Sequence, residues 1–375
     1  MSAPIVQGWC PGAHRPMMSG DGLVVRVRPR LARLSADQAM GLCNLADRYG
    51  NGTIDLTNRA NLQLRGVKEA EHKALLDELA QLNLLDAEPG IEVRRNILVT
   101  PFYQARDLTA RLTQELIDRL RELPTLPAKF GFAIDTGSER YLVENSADIR
   151  LERSNGGLLL RADGADGGRI VTEAEAIDQL IALANWFSQS YSQDTRRMAR
   201  LLRSVDLPPE WLGNAPVPMA DDIQPGNTNR GPIYGAAFGQ LRAMPFYDLI
   251  KSSGALAVRV TPWRLVLLEG GVFVPAPEFV TDAFDPLLTT DACPGAPFCP
   301  QAQVATRDIA RTLAPRFTGS LHVSGCAKGC ARMRAAEFTL VGQNGRFDLV
   351  KNGRAGDEPC QRGLAPETLL TMDLT

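Results

Sequence analysis

Residues 57–66 read TNRANLQLRG and residues 261–270 read TPWRLVLLEG. Each is a polar turn carrying an arginine between two short runs of alternating apolar residues, which predicts two strands joined by a turn. Around the first, residues 22–28 (GLVVRVR) read as a strand, and Ser35 with Gln38 forms a capping-box pattern opening a helix to about Tyr49. Ile54 and Leu56 mark the next strand, Leu62 and Leu64 the one after it, and residues 69–82 have helical apolar spacing. The local order is β-α-β-β-α. Around the second stretch a fainter copy follows, with a strand at 235–241, a helix at 245–252, and strands near 255–261 and 264–269. The copies stand about 200 residues apart, too far for a solenoid, so they are read as one duplication whose halves pack together.

Between the copies, residues 97–205 predict helices at 107–123 and 173–203 and strands at 129–135 and 157–162. Residues 208–232 are too rich in Pro, Gly and Asn for regular structure and read as a linker or binding loop. From about residue 280 the pattern predicts a helix near 302–314 and strands near 319–323, 337–342 and 346–350. The fold class is therefore α+β. Four segments are expected: 1–90, the first half-unit; 91–207, a central α/β domain; 208–279, the linker and second half-unit; and 280–375, a cysteine-bearing domain.

A chain of 375 residues, 44% hydrophobic and 22% charged, has material for a large core. With 41 basic and 43 acidic residues it has no global field for nucleic acid or an anionic membrane, so neither is expected as a partner. No run approaches the roughly 18 to 20 apolar residues of a spanning helix, and the N-terminus lacks a signal-peptide pattern, so a cytoplasmic location is expected. Seven cysteines in such a compartment point to metal or redox chemistry before disulfides.

Cys293 and Cys299 form Cys-x5-Cys in CPGAPFCP, and Cys326 and Cys330 form Cys-x3-Cys in SGCAKGCA. Thiolates suit zinc and iron–sulfur clusters alike. Cys-x5-Cys is wide for a zinc knuckle, and the flanking Pro and Gly favour turns that turn amides toward sulfur, so the spacing favours a cluster. Cys43 lies on the amphipathic helix and reads as a buried apolar residue. Cys10, in WCPGAHRP near His14, is weighed as a further ligand, and Cys360 has no evident partner.

These residues resemble the sulfite and nitrite reductase family, whose cluster motif is Cys-x5-Cys followed by Cys-x3-Cys. The resemblance extends to Thr57, Arg59, Asn61, Gln63, Arg65 and Gly66, and to Arg94, Arg95 and Asn96. It implies duplicated ferredoxin-like half-domains packed as one domain, two further α/β domains, and a 4Fe-4S cluster in the last. In the reductases the cysteine matched by Cys330 also bridges to sirohaem, and two arginines and two lysines hold the anion. Arg59 and Arg95 match the arginines and Lys129 the first lysine of a Lys-x-Lys pair, but the second position is Gly131. WCPGAHRPMMSGDG and LPAKFGFAIDTG look instead like the family branch that, with O2, converts precorrin-3A to precorrin-3B in aerobic cobalamin synthesis. For this chain that implies a monooxygenase: the tetrapyrrole is substrate, C20 is hydroxylated, and a lactone closes from the ring A acetate.

A macrocycle fringed with carboxylates needs concentrated cations, and Arg26, Arg28, Arg59, Arg65, Arg94, Arg95 and Arg264 lie in or beside the repeated units. With Asn61, Gln63 and Asn96 they form the expected substrate-binding set, and Lys129 and Arg95 the expected catalytic pair. The resemblance also implies a mononuclear non-haem iron, for which the chain offers only His14, His72 and His322; His72 is expected on an exposed helix face. No nicotinamide fingerprint is present, so a separate electron donor or reductase is expected. The competing readings are a sirohaem-dependent sulfite or nitrite reductase and a non-catalytic zinc protein.

Overall fold

The computed structural model describes residues 11–317 and 319–371. Its architecture is four five-stranded sheets with helices packed on them. In the first half-unit, Ser35 Oγ accepts the Gln38 amide at 3.1 Å while the Gln38 side chain accepts the Ser35 amide at 3.0 Å. This capping box starts the helix Ala36–Tyr49, whose buried stripe is Ala39, Leu42, Cys43, Ala46 and Tyr49. Ser35→Ala is expected to cost about 1 kcal/mol, read as a lower denaturant midpoint at unchanged slope.

The duplication is visible in the backbone of the two turns. Thr57 Oγ1 accepts the amides of Arg59 and Asn61, and Thr261 Oγ1 accepts those of Trp263 and Leu265. Ala60 (φ 52°) and Arg264 (φ 61°) occupy the same left-handed position, and Gly66 (φ 75°) matches Gly270 (φ 73°). The arginine expected as the shared landmark is therefore not shared. Arg59 corresponds to Trp263, and Arg264 to Ala60.

A second correction concerns residues 235–241, expected as one strand. The strand Gly231–Gly235 ends, a turn at Ala237–Gly239 passes through Phe238 (φ 58°), and a short strand Gln240–Arg242 follows. The first half breaks in the same way at Arg30–Ala32, where Leu31 has φ 54°, before the strand Arg33–Ser35. The left-handed residue carries the chain from one sheet to the other. One sheet runs Met17–Ser19, Gly22–Val27, Leu62–Val67, Thr53–Leu56, Gln240–Arg242; the other runs Gly226–Thr228, Gly231–Gly235, Leu265–Glu269, Ala257–Val260, Arg33–Ser35. Each half lends its short strand to the other's sheet. The helices Ala36–Tyr49 and Ala243–Ser253 pack together, and one core holds residues of both halves.

The central sheet runs Arg169–Val171, Gly157–Ala162, Ile149–Ser154, Phe132–Asp135, Ile97–Val99 and packs on the helices Leu108–Asp118 and Ala176–Ser190. The helix expected over 173–203 stops at Ser190 and resumes as the turn Met198–Leu201. Buried Asp148 accounts for the restart: it accepts the Met198 amide at 2.8 Å and pairs with Arg197 at 2.8 Å.

The last sheet runs Thr290–Ala292, Leu321–Ser324, Ala336–Gln343, Arg346–Gly353, Gln361–Leu364. Its first three strands are mutually parallel and the rest antiparallel. Ala292 pairs with Val323, so the loops that leave these neighbouring strands depart from the same end of the sheet. Among the described residues no helix is long and apolar enough to cross a membrane.

Candidate functional site

The parallel pairing decides where the cysteines go. Cys293 directly follows the strand Thr290–Ala292 and Cys326 stands two residues past Leu321–Ser324, so two loops distant in sequence share one sheet edge. Gly295 and Gly325 allow the loops to close: a Cβ on Gly325 would stand 2.5 Å from Ala302 Cβ, and one on Gly295 2.5 Å from Thr306 Oγ1. All four cysteines are free thiols. The Gly325 amide donates to Cys293 Sγ at 3.2 Å and the Lys328 amide to Cys326. Burial, and then the charges of the neighbouring cysteines, push the thiols of Cys326 and Cys330 up. The thiols thus feel one another, although among the described residues no three His, Cys, Asp or Glu side chains stand close enough to hold a single metal ion. Four thiols on two loops, with amide hydrogens directed at sulfur, fit the donor chemistry of an iron–sulfur cluster.

Cys43 is fully buried among apolar side chains, and burial pushes its thiol up to about 12. Cys360 is exposed and donates to the Leu349 carbonyl at 3.3 Å, and Cys10 lies outside the described residues.

The two duplicated sheets differ on their outer faces. In the first, Arg26 pairs in register with Gln63, Gln63 with Asp55, and Asp55 with Gln240, which lays a polar row across four strands. The opposite face, with Val25, Val27, Leu62, Leu64, Ile54 and Leu241, lies in the core. In the second sheet the positions of Asn61, Gln63 and Arg65 are taken by Leu265, Leu267 and Glu269; Leu265 and Leu267 join Ile233 in an apolar cluster with Phe102 and Leu288. The second sheet's outer face is apolar where the first is polar, and its charged residues, Arg33, Arg259 and Glu269, pair with one another.

Most of the arginines expected to meet substrate already hold protein partners. Arg28 pairs with Glu92 at 2.6 Å, and Glu92 also accepts the Ala13 and His14 amides at 2.5 and 3.2 Å. Arg95 makes a buried two-point pair with Asp86, at 2.8 and 3.0 Å. Arg65 lies between Asp21 (3.3 Å) and Asp55 (3.5 Å), and Arg264 takes Asp291 at 3.0 Å. Arg94 donates to the Leu120 and Leu123 carbonyls, and Arg59 to the Lys129 carbonyl (2.9 Å) and Ser146 Oγ (3.3 Å). Arg28, Asn61 and Arg95 meet on a cavity of about 10 Å³, the space of one water molecule. A cleft of about 580 Å³, lined by Arg30, Arg33, Gln38 and Asn83, holds none of the expected residues.

Sequence reasoning missed the acidic partners Asp21, Asp55, Asp86, Glu92 and Asp291. Their signal was the near balance of 41 basic and 43 acidic residues, which leaves few arginines without a carboxylate to meet.

The histidines do not gather. His14 Nε2 lies 2.6 Å from the Asp86 carbonyl. His72, expected on an exposed face, is half-buried with Nε2 2.9 Å from the Ala13 carbonyl. His322 is fully buried, its ring nitrogens have no hydrogen-bond partner among the described residues, and burial pushes its imidazole down to about 4. Lys129 is exposed beside Arg59. Asn96 donates to the Phe130 carbonyl at 2.7 Å, which lays its amide against Gly131: a Cβ at residue 131 would stand 2.6 Å from Asn96 Nδ2 and 3.0 Å from the Asn96 carbonyl oxygen.

The model of the nitrite/sulfite reductase ferredoxin-like half domain matches residues 15–82. A precorrin-3B synthase from Sinorhizobium sp is 30% identical over 397 residues, covering 95% of this chain and 85% of the relative. A ferredoxin–nitrite reductase from Synechococcus elongatus is 24% identical, covering 89% and 78%. The solved NirA protein of Mycobacterium tuberculosis superposes with a TM-score of 0.66 at 18% identity, covering 93% of this chain and 79% of that one, a likeness of fold. The duplicated half-domain and these relatives place the chain in a class, that of the nitrite and sulfite reductases. Within it, the chain belongs to the precorrin-3B synthase branch.

Proposed function

We propose that this chain is an oxygen-dependent oxidoreductase that converts precorrin-3A to precorrin-3B and carries a 4Fe-4S cluster on Cys293, Cys299, Cys326 and Cys330. The observation that carries the choice over a sirohaem reductase is Gly131 itself, which leaves the second position of the Lys-x-Lys pair without a cation. The reductases place the second lysine of their anion-binding pair there, and here the Asn96 amide fills the room that side chain would need. An anion-reducing pocket without that cation loses a preorganised positive charge where charge develops. Gly131→Ala is expected to cost about 1–3 kcal/mol, because Asn96 must give way on both its side-chain and backbone sides; thermal or denaturant unfolding checks this.

The polar face of the first half is the surface on which a carboxylate-fringed macrocycle would lie. Arg26, Asn61 and Gln63 present donors along it, and Arg59 with Lys129 offers cations at the border with the central domain. Arg28, Arg65, Arg94, Arg95, Asn96 and Arg264 act through their protein partners, holding the backbone that presents those donors. Arg95, expected as catalytic, is in this reading a positioning residue, because Asp86 already occupies its fork. Lys129 is the cation that would meet a substrate carboxylate.

Insertion of one oxygen atom, with the other leaving as water, requires two electrons and two protons besides O2. When bound, the cluster supplies one-electron storage, which matches the one-electron chemistry triplet oxygen requires. The electrons would come from a separate donor. A mononuclear iron has no ligand set among the described residues, and no step is assigned to one.

The test is metal, sulfide and tetrapyrrole analysis of protein purified without oxygen, followed by turnover of precorrin-3A with O2 and a reductant. About four iron and four sulfide, no sirohaem, and a product heavier by one oxygen atom are the expected results. Stoichiometric sirohaem with nitrite or sulfite consumption would make the chain a reductase, and zinc without sulfide would remove the redox reading.

A further inference from the structure

Each cysteine loop is tied to a different half of the duplicated domain by a carboxylate that bridges two arginines. In the first bridge, Asp55 takes Arg65 at 3.5 Å and Arg307 at 3.1 Å. Arg307 opens the helix Arg307–Leu313, which follows the Cys293–Cys299 loop, and Arg65 reaches into that loop to donate to the Phe298 carbonyl at 3.2 Å. The Gly20 amide and Ser19 Oγ meet the same carbonyl at 3.1 and 2.6 Å. In the second bridge, Asp291 takes Arg264 of the second half at 3.0 Å and Arg332 at 2.9 Å. Arg332 stands two residues past Cys330 and its Nε holds the Ala335 carbonyl at 3.0 Å; Asp291 itself stands two residues before Cys293. Arg264 is anchored again by the Thr290 carbonyl at 2.9 Å.

The parallel strands and the Gly325 amide on Cys293 Sγ set the roots of the two loops side by side, but four thiolates brought together repel one another, so the loops beyond those roots need further ties. We infer that Asp55 and Asp291 are positioning residues for the iron–sulfur cluster: they fix the distance between the cysteine loops across the two halves of the duplication. The inference rests on the cluster reading above. Of the two, Asp291 is nearer in sequence to both loops, touching one through Arg332 and forming the root of the other. Its side chain and that of Arg332 are each 12% exposed, so their charges are weakly screened. Replacing Asp291 by a neutral residue leaves two arginines uncompensated beside the cluster. A more positive surrounding favours the more negative, reduced cluster, and the midpoint potential rises.

The experiment uses the full chain purified without oxygen. Asp291→Asn is compared with wild type, with Asp291→Glu, which keeps the charge, and with Arg362→Ala, which removes a half-exposed arginine from Asp348 and Glu358 in the same domain. Asp291→Asn is expected to release iron to a chelator about tenfold faster, since it weakens hydrogen bonds to two charged groups. Its reduced-state EPR spectrum should change and its midpoint potential shift positive, while Asp291→Glu recovers toward wild type and Arg362→Ala matches it. Wild-type release rate, spectrum and potential in Asp291→Asn would overturn the inference and leave the cluster reading standing. A wild-type protein without iron and sulfide would overturn the cluster reading and the inference with it. Should Asp291→Asn not fold, Arg332→Gln removes only the loop-side arm: faster iron release with a shifted potential supports the inference, and wild-type values overturn it.

Discussion

Replacing Cys326 by alanine is expected to yield protein with iron and sulfide near zero, against about four of each in the wild type. Cys326 is a half-buried free thiol whose sulfur already receives the Lys328 amide, and it lies in the electrostatic neighbourhood of Cys293 and Cys299. A cubane held by three thiolates has an open iron corner, and Cys43 belongs to the core of the duplicated domain and is not available to fill it. Cys43→Ala is the companion measurement. It removes a sulfur packed among apolar side chains, so metal content stays at the wild-type level while stability falls modestly. Equal metal content in Cys326→Ala and wild type would refute the assignment of the loop.

Asp86→Ala is expected to lower stability by about 3–5 kcal/mol, the cost of leaving a buried guanidinium without its counter-charge. Asp86 and Arg95 have side chains only 4% and 6% exposed, and both carboxylate oxygens are used in the pair. Asp86→Asn keeps an acceptor and should lose less, while replacing an exposed partner such as Glu122, which holds Arg119 at 2.6 Å at half exposure, should change stability by under about 1 kcal/mol. Chemical denaturation of the three variants at one pH compares these values. If Asp86→Ala and the Glu122 variant behave alike, burial of the pair is not what holds residues 86–95 in place.

The folded chain places the two sets of expected site residues differently: the cysteine loops share one sheet edge, and most of the arginines meet protein partners. Cysteine spacing survives folding as local information, because each pair sits in one loop of a few residues. The arginines do not carry such information. An arginine on a strand looks the same in sequence whether it meets a ligand or a carboxylate from another segment, and Glu92, Asp86 and Asp291 come from segments that pattern reading treated separately. His72 misled in the same way: its helix position reads as exposed until the segment around Ala13 folds over it.

The duplicated unit, the capping box at Ser35, most strands and helices, and the two cysteine pairs are all legible in the order of the amino acids. They rest on side-chain periodicity and on contacts within a few residues. The exchange of the strands Arg33–Ser35 and Gln240–Arg242 between the halves emerges only on folding, because the left-handed turns at Leu31 and Phe238 carry no glycine at those positions to announce them. So does the parallel pairing of Thr290–Ala292 with Leu321–Ser324, which brings the cysteine loops to one edge, and so does the closing of the space at Gly131 by Asn96. Such placements depend on which distant segments pair and how closely they pack, and no local pattern of residues encodes that.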